Sequence, residues 1–124
     1  MSKIGEYIQE ADWKREKHAP VIEAPAKVKA GEPFTVEVSV GKEIPHPNTA
    51  EHHIAWIDVF FQPEGNKFLY QVAHFEFSAH GEVNTFTEPI GAFTMKVDKP
   101  GTIRALSLCN IHGLWESSVA IEVE

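Results

Sequence analysis

The stretch PFTVEVSV at residues 33–40 decides the fold class of this chain. Its apolar residues, at positions 34, 36, 38 and 40, alternate strictly with polar ones, and Gly41 follows the last of them. A period of two places apolar side chains on one face of a strand and polar side chains on the other. The stretch therefore predicts a half-buried β-strand that ends at the glycine.

Similar segments lie on both sides of this strand, and turn-forming residues separate them. PEGN at 63–66 and DKPG at 98–101 are typical of tight turns. The spacing predicts an all-β, immunoglobulin-like antiparallel β-sandwich of about seven strands. Besides 33–40, the expected strands are 53–62, 67–77, 90–97, 102–108 and 119–124, with a short strand at 21–24. The segment 26–30 is a candidate for one further short strand. Apolar spacing over residues 4–11 predicts a short N-terminal helix.

Length and composition indicate one globular domain over residues 1–124. The chain has 43% hydrophobic and 23% charged residues, the balance of a folded protein. It contains no apolar run of the roughly 20 residues that a membrane helix needs, and no signal-peptide pattern, so we expect a cytoplasmic protein without membrane contact. The net charge of -7 argues against nucleic acid as a partner, because phosphate binding relies on Lys and Arg.

Cys109 is the only cysteine, so an intrachain disulfide is excluded and any chemistry is that of a thiol or thiolate. His112 follows three residues later. Six of the seven histidines lie in predicted loops or at strand ends. His46 is held between two prolines, which stiffen its backbone. His52 and His53 are neighbours on an extended segment and point to opposite faces, so at most one of them joins His46 at a common ion.

These residues offer a mixed sulfur and nitrogen donor set. Cys109, His112, His46, His18 and one of the histidine pair make five ligands, one more than a tetrahedral zinc ion takes. Five ligands are more consistent with an iron or copper centre that has an open position. Blue copper sites usually have a methionine soon after the second histidine, but GLWE follows His112. The residues therefore favour iron over blue copper and leave His52 and His53 as alternatives.

Four motifs in order resemble one protein family. EKHAPVI at 16–22, GKEIPHPNT at 41–49, EHHI at 51–54 and CNIHGLWE at 109–116 look like superoxide reductase of the one-iron neelaredoxin type. The resemblance covers nearly the whole chain. It implies a mononuclear non-haem iron with four histidine nitrogens in one plane and a cysteine sulfur on the axis. The implied ligands are His18, His46, His52, His112 and Cys109.

The resemblance also assigns roles beside the metal. Glu16 matches a glutamate that occupies the sixth position in the oxidised state, and Lys17 matches the lysine that draws superoxide to the site. His53 is the neighbour that does not bind metal. Two departures are Ala50, where a second threonine is common, and a short loop at 79–87. Neither departure touches a matched ligand.

The implied activity is reduction of superoxide to hydrogen peroxide with electrons from rubredoxin or a similar small donor protein. Dismutation of superoxide at the same iron is one alternative, and a non-catalytic, cupredoxin-like electron-transfer protein is another. The resemblance implies a homo-oligomer, a tetramer among relatives. Since no cysteine-rich segment precedes residue 16, we expect no rubredoxin-like N-terminal domain.

Overall fold

The alternating stretch at residues 34–40 forms the central strand of a three-stranded sheet that packs on a five-stranded one. The structure is a computed structural model and describes residues 2–124. Its strands are β1 (Pro20–Glu23), β2 (Lys27–Val28), β3 (Phe34–Val40), β4 (Ile54–Pro63), β5 (Tyr70–Glu76), β6 (Ile90–Met95), β7 (Gly101–Cys109) and β8 (Gly113–Val123).

The sheets have the orders β1-β3-β6 and β2-β8-β7-β4-β5. Neighbouring strands are antiparallel, except that β2 runs parallel to β8. The predicted all-β sandwich is confirmed, with eight strands rather than about seven. The parallel pair departs from the prediction because the short β2 lies alongside the end of β8 without a hairpin connection.

The core lies between the inner faces of the two sheets. Fully buried members include Val36 and Val38 on β3, Ile57 and Val59 on β4, and Ile103 on β7, each 0% exposed. They occupy alternate positions, as the pleat of a strand requires. Burial of this apolar surface is the main favourable term in folding, and it holds the two sheets as one unit.

Several boundaries differ from the prediction. The N-terminal helix is only a 3₁₀ turn at Ile4–Tyr7 with no buried residue, because the following segment pairs with β8 instead. Gln9 donates its N–H to the carbonyl of Leu114 and accepts from the N–H of Glu116, at 3.0 and 2.8 Å. β8 therefore begins at 113 rather than 119, and β5 begins at 70 rather than 67.

Within residues 2–124 no helix is long and apolar enough to cross a membrane.

One end of the sandwich gathers several strand ends. Pro20 at the start of β1 pairs with Val40 at the end of β3. Ile54 at the start of β4 pairs with Cys109 at the end of β7, and Cys109 pairs in turn with Gly113 at the start of β8. The segments that precede β1, join β3 to β4 and join β7 to β8 therefore meet at this end.

A histidine on β5 makes fold stability depend on pH. His74 lies opposite Asp58, and its Nδ1–H donates to the Asp58 carboxylate at 2.5 Å while Nε2 faces Glu76 at 3.3 Å. These hydrogen bonds, that with Asp58 first, raise the pKa of His74 above its ordinary value of 6.5. A raised pKa stabilises the fold fully below the unfolded pKa, and the contribution is lost as pH rises through the folded pKa.

We expect His74→Gln to lower the free energy of unfolding more at about pH 5.5 than at about pH 8.5. The difference should be about 1 kcal/mol or less, because the His74 side chain is 39% exposed and solvent screens the pairs. Urea unfolding of both proteins at both pH values measures it. Equal losses at the two pH values would contradict the assignment.

Candidate metal centre

Five side chains with nitrogen or sulfur donors converge at the end of the sandwich where the strand ends meet. His18 directly precedes β1. His46 and His52 lie in the segment 41–53 between β3 and β4, which we call the ligand loop. Cys109 is the last residue of β7, and His112 lies in the turn to β8. The sheet registers therefore bring together residues that are up to 94 positions apart in sequence.

The donor atoms are close enough to share one ion. One atom each from His18, His46, His52 and Cys109 lie within 4.8 Å of one another. His112 joins them, since its Nδ1 is 3.1 Å from His18 Nε2 and 3.7 Å from Cys109 Sγ. Two nitrogens on opposite sides of an ion, each about 2.1 Å from it, are about 4.2 Å apart. The observed spread of up to 4.8 Å is slightly larger than this separation.

The four imidazoles are arranged as a quadrilateral. Going round it, the distances between ring centroids are 4.8 Å (His18 to His46), 4.6 Å (His46 to His52), 5.1 Å (His52 to His112) and 4.7 Å (His112 to His18). The diagonal from His18 to His52 is 6.3 Å. Four rings in this arrangement can each direct one nitrogen at a single ion, with Cys109 as a fifth donor.

Two ring nitrogens in this set are buried without a hydrogen-bond partner, the Nε2 atoms of His46 and His52. His46 Nδ1–H donates to the carbonyl of Pro47 at 2.6 Å, so the proton is on Nδ1 and Nε2 has a free lone pair. Burial lowers the pKa of His46 to about 4, and the ring is neutral near pH 7. Buried polar atoms without partners are rare in proteins, and a bound metal ion would supply the missing partner.

Glu16 fixes the orientation of His18. Its carboxylate accepts hydrogen bonds from the backbone N–H of His18, from His18 Nδ1 and, at 3.0 Å, from the N–H of Ala19. Burial alone would raise the pKa of Glu16, but the hydrogen bonds from His18 and Ala19 lower it overall. A carboxylate on Nδ1 leaves Nε2 of the histidine directed at the metal position.

The position of Glu16 bears on its predicted role as sixth ligand. Its oxygens are bonded to His18 and Ala19, and Glu16 is not one of the convergent donors. Ligation by Glu16 in the oxidised state stays a prediction, and it requires these hydrogen bonds to break.

Lys17 directly precedes His18 in the sequence, and its charge acts on two other histidines of the site. Burial chiefly, and in part the positive charge of Lys17, lower the pKa values of His46 and His52. The ammonium therefore acts on both rings. Within residues 2–124 it forms no ion pair, so its charge is not neutralised by a carboxylate.

Cys109 is buried, with 1% of its surface exposed. Its sulfur accepts the backbone N–H of His112 at 3.4 Å. Gly113 has φ of +77°, a conformation that glycine adopts without strain. This turn brings His112 back over the sulfur of Cys109.

Two neighbours of the site were not singled out by the sequence. Trp115 stacks on His18, with ring centroids 4.9 Å apart and planes 15° apart. Asn110 holds both peptide groups beside His52: its amide donates to the carbonyl of Glu51 at 3.0 Å and accepts the N–H of His53 at 2.8 Å. Their positions within CNIHGLWE are the only sequence signal for either residue.

Comparisons with known proteins find one group of relatives that match nearly the whole chain. The family model described as Desulfoferrodoxin matches residues 10–118. A superoxide reductase of Pyrococcus furiosus is 55% identical over 96% of this chain and 99% of its own. Neelaredoxin of Megalodesulfovibrio gigas is 50% identical over 98% and 99%. A crystal structure from Thermotoga maritima, 53% identical, covers 100% of this chain and 99% of its own with a TM-score of 0.96.

A glycine at the start of the ligand loop allows a test of how His46 is placed. Gly41 has φ of +87°, and a Cβ there would lie 2.6 Å from the backbone nitrogen of His46. We expect Gly41→Ala to destabilise the protein by about 1–3 kcal/mol and to weaken metal retention, because His46 must move.

Gly65→Ala is the matched control for this substitution. Gly65 has a similar φ of +79°, but a Cβ there would have no atom within 4 Å. Gly65→Ala should lower the stability of the protein but leave metal retention unchanged. Chelator competition and thermal unfolding measure the two effects, and equal metal retention in the two variants would refute the placement.

Proposed function

The chain belongs to the desulfoferrodoxin family, and on that premise we propose that it is a superoxide reductase. The reaction converts superoxide to hydrogen peroxide with one electron and two protons. The observation that carries the proposal is the convergence of four imidazoles and one cysteine sulfur, with two ring nitrogens unpartnered. The names of the relatives from Pyrococcus furiosus and Megalodesulfovibrio gigas support it.

We propose mononuclear iron as the metal, held by His18, His46, His52, His112 and Cys109. Five donors exceed the four of a structural zinc site, and one thiolate with several imidazoles suits iron. The ferrous ion would supply the electron that superoxide takes up. The residues of the chain attract the anion and fix the donors.

Neutral imidazoles preserve positive charge at the site. The low pKa of His46, about 4, keeps that ring uncharged, and the Cys109 thiolate contributes one negative charge. A divalent ion in such a set retains net positive charge, and bound ions are often the largest local charges in a site. The donor set therefore favours the approach of a small anion.

Lys17 adds to this attraction on an otherwise acidic protein. The net charge is -7, but salt screens charges beyond about 8 Å. A lysine next to His18 without a carboxylate partner therefore increases the positive potential that an approaching anion meets. We propose that Lys17 directs superoxide to the site, and that Glu16 orients His18 and would be a further iron ligand in the oxidised state.

Several finer proposals accompany this function. We propose a single iron-binding domain over residues 1–124 and a cytoplasmic location. By family resemblance we also propose rubredoxin or a similar small protein as the electron donor. We also propose a homo-oligomer, a tetramer as in relatives. Its support is a run of exposed apolar side chains at Phe68, Leu69 and Tyr70, exposed by 56%, 51% and 49%, since such patches are typical of interfaces.

The donor set favours this function over a cupredoxin-like one. Blue copper sites use two histidines, a cysteine and a weak axial ligand, whereas four imidazoles converge here. Dismutation uses the same residues, and product yield separates it from reduction.

The yield of peroxide is the direct test of the reaction. With a reduced donor in excess, we expect one peroxide per superoxide and one electron consumed from the donor. Dismutation gives half as much peroxide and consumes no donor. Superoxide generated in pulses, with peroxide and donor oxidation both measured, distinguishes the two. Half yield with an unoxidised donor would contradict superoxide reductase activity.

A second prediction concerns capture of the anion by Lys17. We expect Lys17→Ala to slow the second-order reaction with superoxide by about threefold to tenfold and to weaken its dependence on salt, because a local attraction is lost. Bound iron should be unaffected. Lys67→Ala, in the turn between β4 and β5 at the other end of the sandwich, should have the wild-type rate. Equal rates in both variants would remove Lys17 from the mechanism.

A further inference from the structure

The ligand loop has no regular structure, although it carries two of the five donors. It contains a local turn in which Thr49 donates its N–H to the carbonyl of His52 at 2.9 Å and its hydroxyl oxygen accepts the N–H of His52 at 3.1 Å. These bonds shape the segment 49–52 but do not attach it to the sandwich. Ordering a loop costs about 1–2 kcal/mol per residue in backbone entropy, so contacts from outside the loop must hold it.

A second loop supplies such contacts. The segment 77–89, which we call the β5–β6 loop, is closed by its own hydrogen bonds. Thr87 N–H donates to the carbonyl of Ala79 at 2.8 Å, and Thr87 Oγ1 accepts the N–H of Ala79 at 3.1 Å. The N–H of His80 donates to the Glu82 carboxylate at 2.7 Å. The β5–β6 loop therefore presents His80 and Thr87 from a braced backbone.

The two loops meet through a stacked pair of histidines. The rings of His53 and His80 are nearly parallel, 8° apart, with centroids separated by 3.5 Å. Both are outside the donor set. His53 is the immediate neighbour of His52, and because neighbours on an extended segment point to opposite sides, its ring faces the β5–β6 loop while that of His52 faces the metal position.

An asparagine completes the link between the loops. Asn48 donates its amide N–H to the carbonyl of Thr87 at 3.0 Å, so its Oδ1 is free to accept from His80 Nδ1 at 3.2 Å. His53 Nδ1 donates to the carbonyl of Thr49 at 2.9 Å. Both rings thus have Nδ1 protonated and bonded within the ligand loop. His80 contacts the loop on both sides of its local turn.

We propose that His80 is a positioning residue for the metal centre, acting through His53 on His52 and through Asn48 on His46. It touches neither the donors nor the substrate. The inference rests on the proposed function, since it assumes that these donors hold iron. Residues that orient metal ligands from outside typically change metal affinity by 10–100-fold when removed, and the indirect path here places His80 at the lower end of that range.

Three substitutions separate positioning from general stabilisation. His80→Ala removes the stack and the hydrogen bond, and His80→Phe keeps a flat ring without the bond to Asn48. His74→Ala is the matched control, because it also removes a hydrogen-bonded histidine from the β5 region but one that bonds only Asp58 and Glu76. Each is prepared with iron loaded.

The main readout is the rate at which a chelator removes ferrous iron. The absorption band of the ferric protein and the melting temperature of the metal-free protein are measured beside it. We expect His80→Ala to lose iron about tenfold faster than wild type, His80→Phe by a smaller factor, and His74→Ala at the wild-type rate. The absorption band should shift in His80→Ala only. In a His53→Ala background, His80→Ala should have a smaller effect, because the two rings act as a unit.

The outcomes separate the two proposals. If wild type retains iron and His80→Ala releases it no faster than His74→Ala, with an unshifted band, the positioning role is refuted. A lower melting temperature of His80→Ala without faster iron release would also refute the positioning role. If the wild-type protein holds no iron, the proposed function itself fails.

Discussion

The buried Nε2 atoms of His46 and His52 impose the constraint on which the rest of the site depends. A buried polar atom without a partner costs about 1–3 kcal/mol, and two of them lie side by side here. The His46 ring cannot turn to relieve this cost without breaking its hydrogen bond to the carbonyl of Pro47. A metal ion would satisfy both atoms at once, and its binding would then be coupled to folding stability.

The donor residues are brought together by the pairing register of the strands and not by closeness in sequence. The pairing of Pro20 with Val40 and of Ile54 with Cys109 brings three connecting segments to one end of the sandwich. His18 directly precedes β1 and Cys109 is the last residue of β7, so the strands fix the positions of both. The turn between β7 and β8 places His112. The ligand loop is the irregular part, and hydrogen bonds from Asn110 on one side and the β5–β6 loop on the other hold it in place.

The sequence predicted most of the strands because their apolar residues alternate and turn residues separate them. It placed the start of β8 too late, since the polar residues Ser117 and Ser118 hide a strand whose partners, β7 and Gln9, are distant in sequence. Alternation alone showed that only one of His52 and His53 joins the site, and family resemblance chose His52. The stack of His53 on His80 lay beyond prediction, because it depends on how two loops meet in space.

The central claim, that five side chains hold one iron, is tested most directly by X-ray absorption at the iron edge of the reduced, loaded protein, beside Cys109→Ser. The account predicts four nitrogen neighbours and one sulfur in wild type, and loss of the sulfur in the variant. It would be contradicted by a wild-type iron without a sulfur neighbour, or by a protein that holds zinc or copper at full occupancy and cannot be loaded with iron at this site.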